Sequence, residues 1–454
     1  MDGTRPRLIC PRAVGPIDRI GQLMTSCKSQ TTESKVKIEV TRHELKRIHD
    51  AIGKLNPKSK FPILNHVQFR RINNGIYVGA TDLEHQMSGR VNCSIMDADD
   101  YHPLHLPYSD LRRLATGDAR EVVTLASEST INGWITCMRE PLLATVTLPY
   151  DPEMYPVMEE SQMPMTACNV TAWLAAYNRV RPAVSDDPTR YTLSGVYHDA
   201  QLCRMVATSG RWMLIQHGVA GVGDTTHSYT WTNDEGKACE AFGSTIIAHH
   251  PILAGKALAG HGEIGIQNGR IEIRANGWTY RSKLIQGTCP NYQQVIPDPA
   301  DFLVTTIEFG DLTTIKALAT ACGMKATGKD GGKSIEFYVY QGQVTALART
   351  PNYDTIAVDV PATVDAAVGS DFATNGLYIS FNYLHFMQLL AAGCTYFRIH
   401  NVTCAVVCKS PDGATVGLTM PMRLGPDNTN AINLLAARGT PIAPCLQPAL
   451  VATA

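Results

Sequence analysis

A chain of 454 residues is too long for one ordinary hydrophobic core and implies about three domains. Its 44% apolar and 18% charged residues fit a soluble globular protein, and a formal net charge of −1 excludes a uniformly basic nucleic-acid binder while leaving room for a basic surface offset elsewhere. The 13 cysteines form no Cys-x-x-Cys pair, which points to reduced thiols in a cytoplasm-like compartment, and no apolar run reaches the roughly 18 residues of a transmembrane helix.

Residues 1–35 carry Arg5, Arg7, Arg12, Arg19 and Lys28 against Asp2, Asp18 and Glu33, without the apolar stretch of a secretory signal. They read as a disordered arm. From residue 36 onward one pattern recurs three times at a spacing of about 130 residues. Each repeat opens on an amphipathic helix, with stripes Leu45, Ile48, Ile52 and Leu55, then Val170, Leu174 and Tyr177, then Leu312, Ile315, Ala319 and Cys322. Alternating strands follow each helix, with turns at Asn73-Asn74-Gly75, near Asp199 and at Gln341-Gly342.

A shorter helix comes next in each repeat: Ser109 caps one carrying Leu111 and Leu114, Pro251 opens one carrying Leu253 and Leu258, and Asn382 caps one carrying Tyr383, Phe386 and Leu390. Each repeat closes on strands ending in an extended proline segment, Leu148-Pro149, Val295-Ile296-Pro297 and Met420-Pro421. The expected architecture is α+β: three repeated domains over 36–163, 164–299 and 300–424, each with two helices packed on antiparallel sheets. Residues 425–454, rich in Ala, Pro and Asn, read as a mobile tail.

The polar helix faces are basic. Lys46, Arg47, Lys54, Lys58 and Lys60 surround the first long helix, and Arg112 and Arg113 sit on the first short one. Arg179 and Arg181 end the second long helix, Lys256 follows on its partner, and Lys316 and Lys325 belong to the third. Without interleaved aromatic residues such a surface suits phosphate contact rather than base stacking or base readout.

No catalytic motif holds together. Thr327-Gly-Lys-Asp-Gly-Gly-Lys333-Ser334 lacks the first glycine of a P-loop and runs into a strand rather than a helix. His249 and His250 point about 100° apart on a helix and read as surface residues near a cap. No cofactor and no metal are expected.

Several segments, in order, resemble the beta sliding clamp of bacterial DNA polymerase III, a family also encoded by phages. They are Phe61-Pro-Ile-Leu-Asn-His-Val with Ala80-Thr-Asp-Leu-Glu84, Arg181-Pro-Ala-Val-Ser185, Leu193-Ser-Gly-Val196, Val206-Ala-Thr-Ser-Gly210, Ser282-Lys-Leu-Ile-Gln-Gly287, Cys289-Pro-Asn-Tyr-Gln-Gln-Val-Ile-Pro297 and Met420-Pro-Met-Arg-Leu424. The resemblance covers about residues 36–424 and implies a ring of two head-to-tail protomers around duplex DNA. It implies no chemistry, a cytoplasmic location, and a replicative DNA polymerase and a clamp loader as partners.

It also implies a partner-peptide groove between the second and third domains, formed by Leu193, Thr208, Gly210, Pro290, Val295, Asn382, Met420, Pro421, Met422, Arg423 and Leu424. Arg211-Trp212-Met213 stands where His-Arg-Leu is common in the family, Gln294 where an Arg is usual and His385 where a Tyr is usual. The family's partners insert a short segment that starts with Gln and ends in Leu or Phe, a shape that Gln447-Pro-Ala-Leu450 of the tail shares. The competing reading is a clamp-fold scaffold for replication or repair that forms no ring.

Overall fold

In the computed structural model, which describes residues 35–55, 59–95, 103–130, 133–139, 143–156, 162–200, 202–220, 228–232, 238–242, 244–297, 305–325, 333–352, 354–366, 371–424 and 429–446, one order of elements recurs three times. The first repeat runs β1 (Lys35–Thr41), α1 (Arg42–Ile52), β2 (His66–Ile72), β3 (Gly75–Thr81), β4 (His85–Val91), β5 (Cys93–Ile95), β6 (Leu104–Pro107), α2 (Tyr108–Leu114), β7 (Val122–Thr130), β8 (Gly133–Arg139) and β9 (Leu143–Leu148). The second runs β10 (Thr166–Asn169), α3 (Val170–Val180), β11 (Gly195–Asp199), β12 (Arg204–Thr208) and β13 (Trp212–His217). It continues through the hairpin β14 (Ser228–Thr232) and β15 (Ala238–Phe242), then β16 (Ser244–Ala248), β17 (His261–Gln267), β18 (Arg270–Ala275) and β19 (Trp278–Ile285). The third runs β20 (Thr305–Phe309), α4 (Thr313–Ala321), β21 (Ser334–Tyr340), β22 (Gln343–Arg349), β23 (Thr355–Asp359) and β24 (Ala362–Ala366). It closes with α5 (Asp371–Asn375), β25 (Leu377–Asn382), α6 (Tyr383–Ala391), β26 (Tyr396–Ile399), β27 (Val406–Lys409) and β28 (Thr415–Thr419).

The helical stripes are buried as the spacing predicts, Leu45, Ile48, Ile52 and Leu55, then Val170, Leu174 and Tyr177, then Ile315, Ala319 and Cys322, except that Leu312 of the third stripe is half-buried and stands ahead of the helix at its N-cap. Asn169 and Asn382 cap α3 and α6 by accepting from the N–H groups of Ala172 and His385. Ser109 does not cap α2, because that helix starts at once after Pro107 and places Ser109 inside its first turn. The short helix expected after Pro251 is a single 3-10 turn, Pro251–Ala254, in which the Ile252 N–H is capped by the His250 ring. Gly255 follows immediately in extended conformation, φ −82 and ψ 166.

The described parts of residues 1–46, 66–76 and 91–155 form one compact unit, and those of 47–65, 77–90 and 156–454 a second. In the first unit a sheet runs β5-β1-β7-β8-β9, with Ile38 opposite Leu125 and Val40 opposite Val123. Arg42, the first residue of α1, is buried there. It donates to Glu121 and to the carbonyls of Leu114 and Thr116, and so caps the C-terminus of α2.

In the second unit β4 joins β19 in antiparallel register, from Trp278 opposite Gly89 to Ser282 opposite His85. This pairing is why 77–90, part of the expected first domain, groups with the second unit. The Trp278 ring lies so close to Gly89 that any Cβ there would collide with it, and the Arg47 guanidinium sits over the same ring, 4.7 Å from its centroid. Two sheets, β10-β17-β18-β19 and β16-β11-β12-β13, carry the second repeat, with α3 packed against them. β13 then pairs with β28 from Trp212 opposite Thr419 to Gln216 opposite Thr415, joining the second repeat to the third.

The third repeat has one sheet through β24, β20, β26, β27 and β28 and another ordered β23-β22-β21-β25. Between them Phe309, Phe337, Phe381, Phe386 and Phe397 form an aromatic core, with ring centroids 5.0 Å apart for Phe337 and Phe386 and 5.2 Å for Phe309 and Phe397. Lys333, part of the rejected P-loop, donates to Gly323 O at 2.5 Å, and β21 begins at the next residue.

The tail departs from the expectation of a mobile segment. Thr429–Ala437 forms a helix, α7, and Ala431, Leu435, Ala443 and Leu446 are buried against Tyr338, Leu347, Ala357 and Tyr378 of the β23-β22-β21-β25 sheet. Composition rich in Ala, Pro and Asn hid four apolar contacts spaced to cover one sheet face. The arm, Lys58 and Gln447-Pro-Ala-Leu450 lie outside the described residues.

Three histidines are buried in neutral form. Burial holds His105 down at about 3 and His198 and His250 at about 4. The unfolded chain takes up these protons near pH 6.5 and the folded chain does so only well below it, so stability is full above about pH 7 and is lost as pH falls. Urea unfolding should show at least about 2 kcal/mol less stability at pH 5 than at pH 7. Equal stability at the two pH values contradicts the neutral burial of these rings.

Candidate functional site

The segment after β28 is positioned by its backbone. Pro421 has no N–H and ends regular pairing. On either side of it the Met420 N–H donates to Arg211 O at 3.1 Å and the Met422 N–H to Ser380 O at 2.7 Å. The first bond ties the segment to the β12–β13 turn of the second repeat and the second ties it to β25 of the third. Met420 keeps 45% of its surface exposed, Pro421 and Met422 are half-buried, and Arg423 is exposed. Leu424 turns away and packs beside the tail cluster.

The Arg211 bond leads into three loops of the second repeat that contact one another. Thr208 Oγ1 donates to Trp212 O and accepts from the Gly210 N–H, closing a tight turn. Gly210 has φ +82, a conformation that strains any side chain there, and the Arg190 guanidinium lies over it, Nη1 2.7 Å from where a Cβ would stand. Arg190 belongs to the 3-10 segment Pro188–Leu193 and donates to Ser209 O. Gly287, ahead of the 3-10 turn Tyr292–Val295, lies against Thr192 and the Tyr191 ring.

These loops expose large apolar side chains, Tyr191 at 59% and Val295 at 59%, with Leu193 half-buried and Pro290 and Gln294 exposed. Apolar side chains held out on adjoining loops are what a peptide-docking surface needs.

Not every expected groove residue lines this surface. Met213 is buried with Val206, Ile215, Tyr292 and Leu418. Trp212 is also buried, its ring stacked on His385 with centroids 5.0 Å apart and planes 16° apart. β13 is a central strand between β12 and β28, and every side chain from Trp212 to Gln216 on its two faces is buried. Burial, with Arg211 nearby, holds His385 down at about 4, so the ring is neutral in the stack. Arg211 itself is exposed, and Asn382 is occupied as the cap of α6.

The basic residues divide into two groups. Lys46, Lys54, Lys60, Arg112, Lys256, Lys316 and Lys325 are exposed, and Arg113 is exposed with a surface ion pair to Asp110. Lys54 Nζ reaches 3.9 Å from where a Cβ on Gly255 would stand, which brings it toward Lys256. Arg47, Arg179 and Arg181 are instead engaged within the fold. Arg47 donates to Arg90 O beside the Trp278 ring, and Arg179 donates to Gln216 Oε1 and Thr415 Oγ1 across the β13–β28 joint. Arg181 is half-buried beside His249.

Sequence reasoning missed a cluster at the β4–β19 joint. Asp82, His85 and His250 bring one potential ligand atom each within 4.8 Å of one another. The geometry serves the backbone first. Asp82 Oδ1 accepts from the N–H groups of Glu84 and His85, Asp82 Oδ2 meets His85 Nδ1 at 3.1 Å, and His250 Nδ1 accepts from the Ile252 N–H. A cation held by His250 Nε2 needs a proton on Nδ1, which would face that N–H, so the three residues fit a structural clasp better than a metal centre.

No family model and no curated protein matches the chain. Solved structures do. The DNA polymerase III beta sliding clamp of Pseudomonas aeruginosa is 18% identical with a TM-score of 0.67, that of Caulobacter crescentus 18% with 0.68, and the beta subunit of Thermotoga maritima 18% with 0.65. Each alignment covers 86% of this chain and 100% of the other. Among the described residues no helix is long and apolar enough to cross a membrane. The chain has the fold of the DNA polymerase III beta sliding clamps.

Proposed function

We propose that the chain is a DNA sliding clamp, a non-catalytic processivity factor of the cytoplasm. It closes head to tail with a second protomer around duplex DNA and tethers a replicative polymerase. Its three domains are 36–163, 164–299 and 300–424, the first of one protomer meeting the third of the next, and a clamp loader opens the ring. The observation that carries this reading is the extent of the structural likeness: the whole length of each clamp finds its counterpart here. Exposed Lys46, Lys54, Lys60, Arg112, Arg113, Lys256, Lys316 and Lys325 are the candidates for phosphate contact. A clamp gains from contacts that hold the backbone and read no bases, because these do not pin it at one sequence.

A ring is retained by topology. Once loaded, the protein should stay on circular DNA through a high-salt wash and slide off when the circle is cut, and loss at the same rate from both forms sinks the ring. Exchanging Arg112 and Arg113 for Glu should reduce loading or retention and lower the salt at which binding is lost. Wild-type behaviour of that variant counts against their facing the hole.

The groove is tested separately. Met420→Asp with Val295→Asp should weaken binding of a synthetic peptide that begins with Gln and ends in Leu by about tenfold or more, while leaving retention on circular DNA intact. Unchanged peptide affinity would place the partner surface elsewhere.

A further inference from the structure

β23 is the outermost strand of its sheet, and its free side carries the contact of interest. The Thr350 N–H bonds Asp354 O and the Val360 N–H bonds Val344 O, which turns the even-numbered residues of this strand toward β22. In an antiparallel ladder the direction alternates, so the N–H and C=O groups of Thr355, Ala357 and Asp359 face outward. An outward row of this kind is a template for another strand.

Arg438 occupies the middle of that row. It follows α7, donates through Nη1 to Ala357 O at 2.6 Å, and through Nη2 to Asp359 Oδ2 at 2.9 Å. It is delivered there by a built segment. Gly439 has φ +74, and the N–H groups of Gly439 and Thr440 bond the carbonyls of Ala436 and Leu435, which stops the helix and turns the chain back. Tyr338 Oη then donates to Pro441 O and accepts from the Ala443 N–H, pinning the return path over the sheet. A strand arriving at β23 needs Ala357 O for its own N–H, and the guanidinium holds that atom.

We propose that the C-terminal segment 429–446 guards the β23 edge, with Arg438 as the residue that must let go before a strand of a second copy of this chain adds there. The proposal rests on the ring reading for the identity of the partner. A head-to-tail ring needs one free edge at each end of the protomer, and the first-unit sheet offers its own in β9. An open clamp with a guarded edge is protected from pairing with the wrong partner, and a loader has a contact to displace.

The test is the self-association of the full chain by sedimentation. Arg438→Ala frees the Ala357 carbonyl while leaving the apolar packing of α7 in place, and should tighten the dimer dissociation constant by about tenfold. Asp359→Asn loosens the same guanidinium from its other anchor and should move association the same way, which keeps the test decisive if the first variant folds poorly. Adding Thr355→Pro to Arg438→Ala removes an outward N–H without touching the β22 ladder and should return association toward wild type. Association unchanged or weakened in Arg438→Ala and Asp359→Asn overturns the guard, and a gain that survives Thr355→Pro overturns its placement at β23. Wild type and variants that all stay monomeric overturn the ring reading as well.

Discussion

Two ladders of backbone hydrogen bonds, β4 on β19 and β13 on β28, hold successive repeats together. Backbone pairing is indifferent to side-chain identity, which lets an 18% identical chain keep the same fold. What the sequence adds is register. Gly89 admits the Trp278 ring and Arg47 lies over it, so a slip by one residue would turn the ring to the other face. At the second joint the buried Gln216 and Thr415 bond each other across the ladder, with Arg179 reaching both. The candidate groove depends on this second joint, since Arg211 and Met420, which bond each other, lie just beyond its end.

Charge is used twice on this scaffold. Arginines at the joints are consumed by rings, carbonyls and amides, whereas the lysines are left in water. The division follows from chemistry: a planar guanidinium stacks on an indole and serves two acceptors at once, and an ammonium is more strongly hydrated. A near-neutral chain can therefore support a basic surface only with the residues that the joints leave over, chiefly Lys46, Lys54, Lys60, Arg112, Lys256, Lys316 and Lys325.

Local features were legible in the sequence. The stripe through Leu45, Ile48 and Ile52, the Asn382 cap and the Gln341-Gly342 turn, with φ +50 and +76, depend on neighbours within a few residues. The segments proposed for the groove were singled out through the order of motifs that resemble a clamp, though not which of Trp212, Met213 and Val295 is exposed. Features built by distant residues were hidden. Arg47 and Trp278 meet only after β4 finds β19, and His250 reaches Asp82 by the same route. The tail left one sign that went unread. β21 is apolar on both faces, Ile335, Phe337 and Val339 on one and Tyr338 and Tyr340 on the other, so a second cover was needed.

That cover changes the meaning of the chain beyond Leu424. It packs on the β23-β22-β21-β25 sheet, lays Arg438 on a strand edge and turns back over the sheet, so the described tail is part of the third repeat's structure. The central claim is a closed assembly, and electron microscopy of the purified protein addresses it most directly. The account predicts closed rings of two protomers around a central hole, and a population made only of single protomers or open chains of them would contradict it.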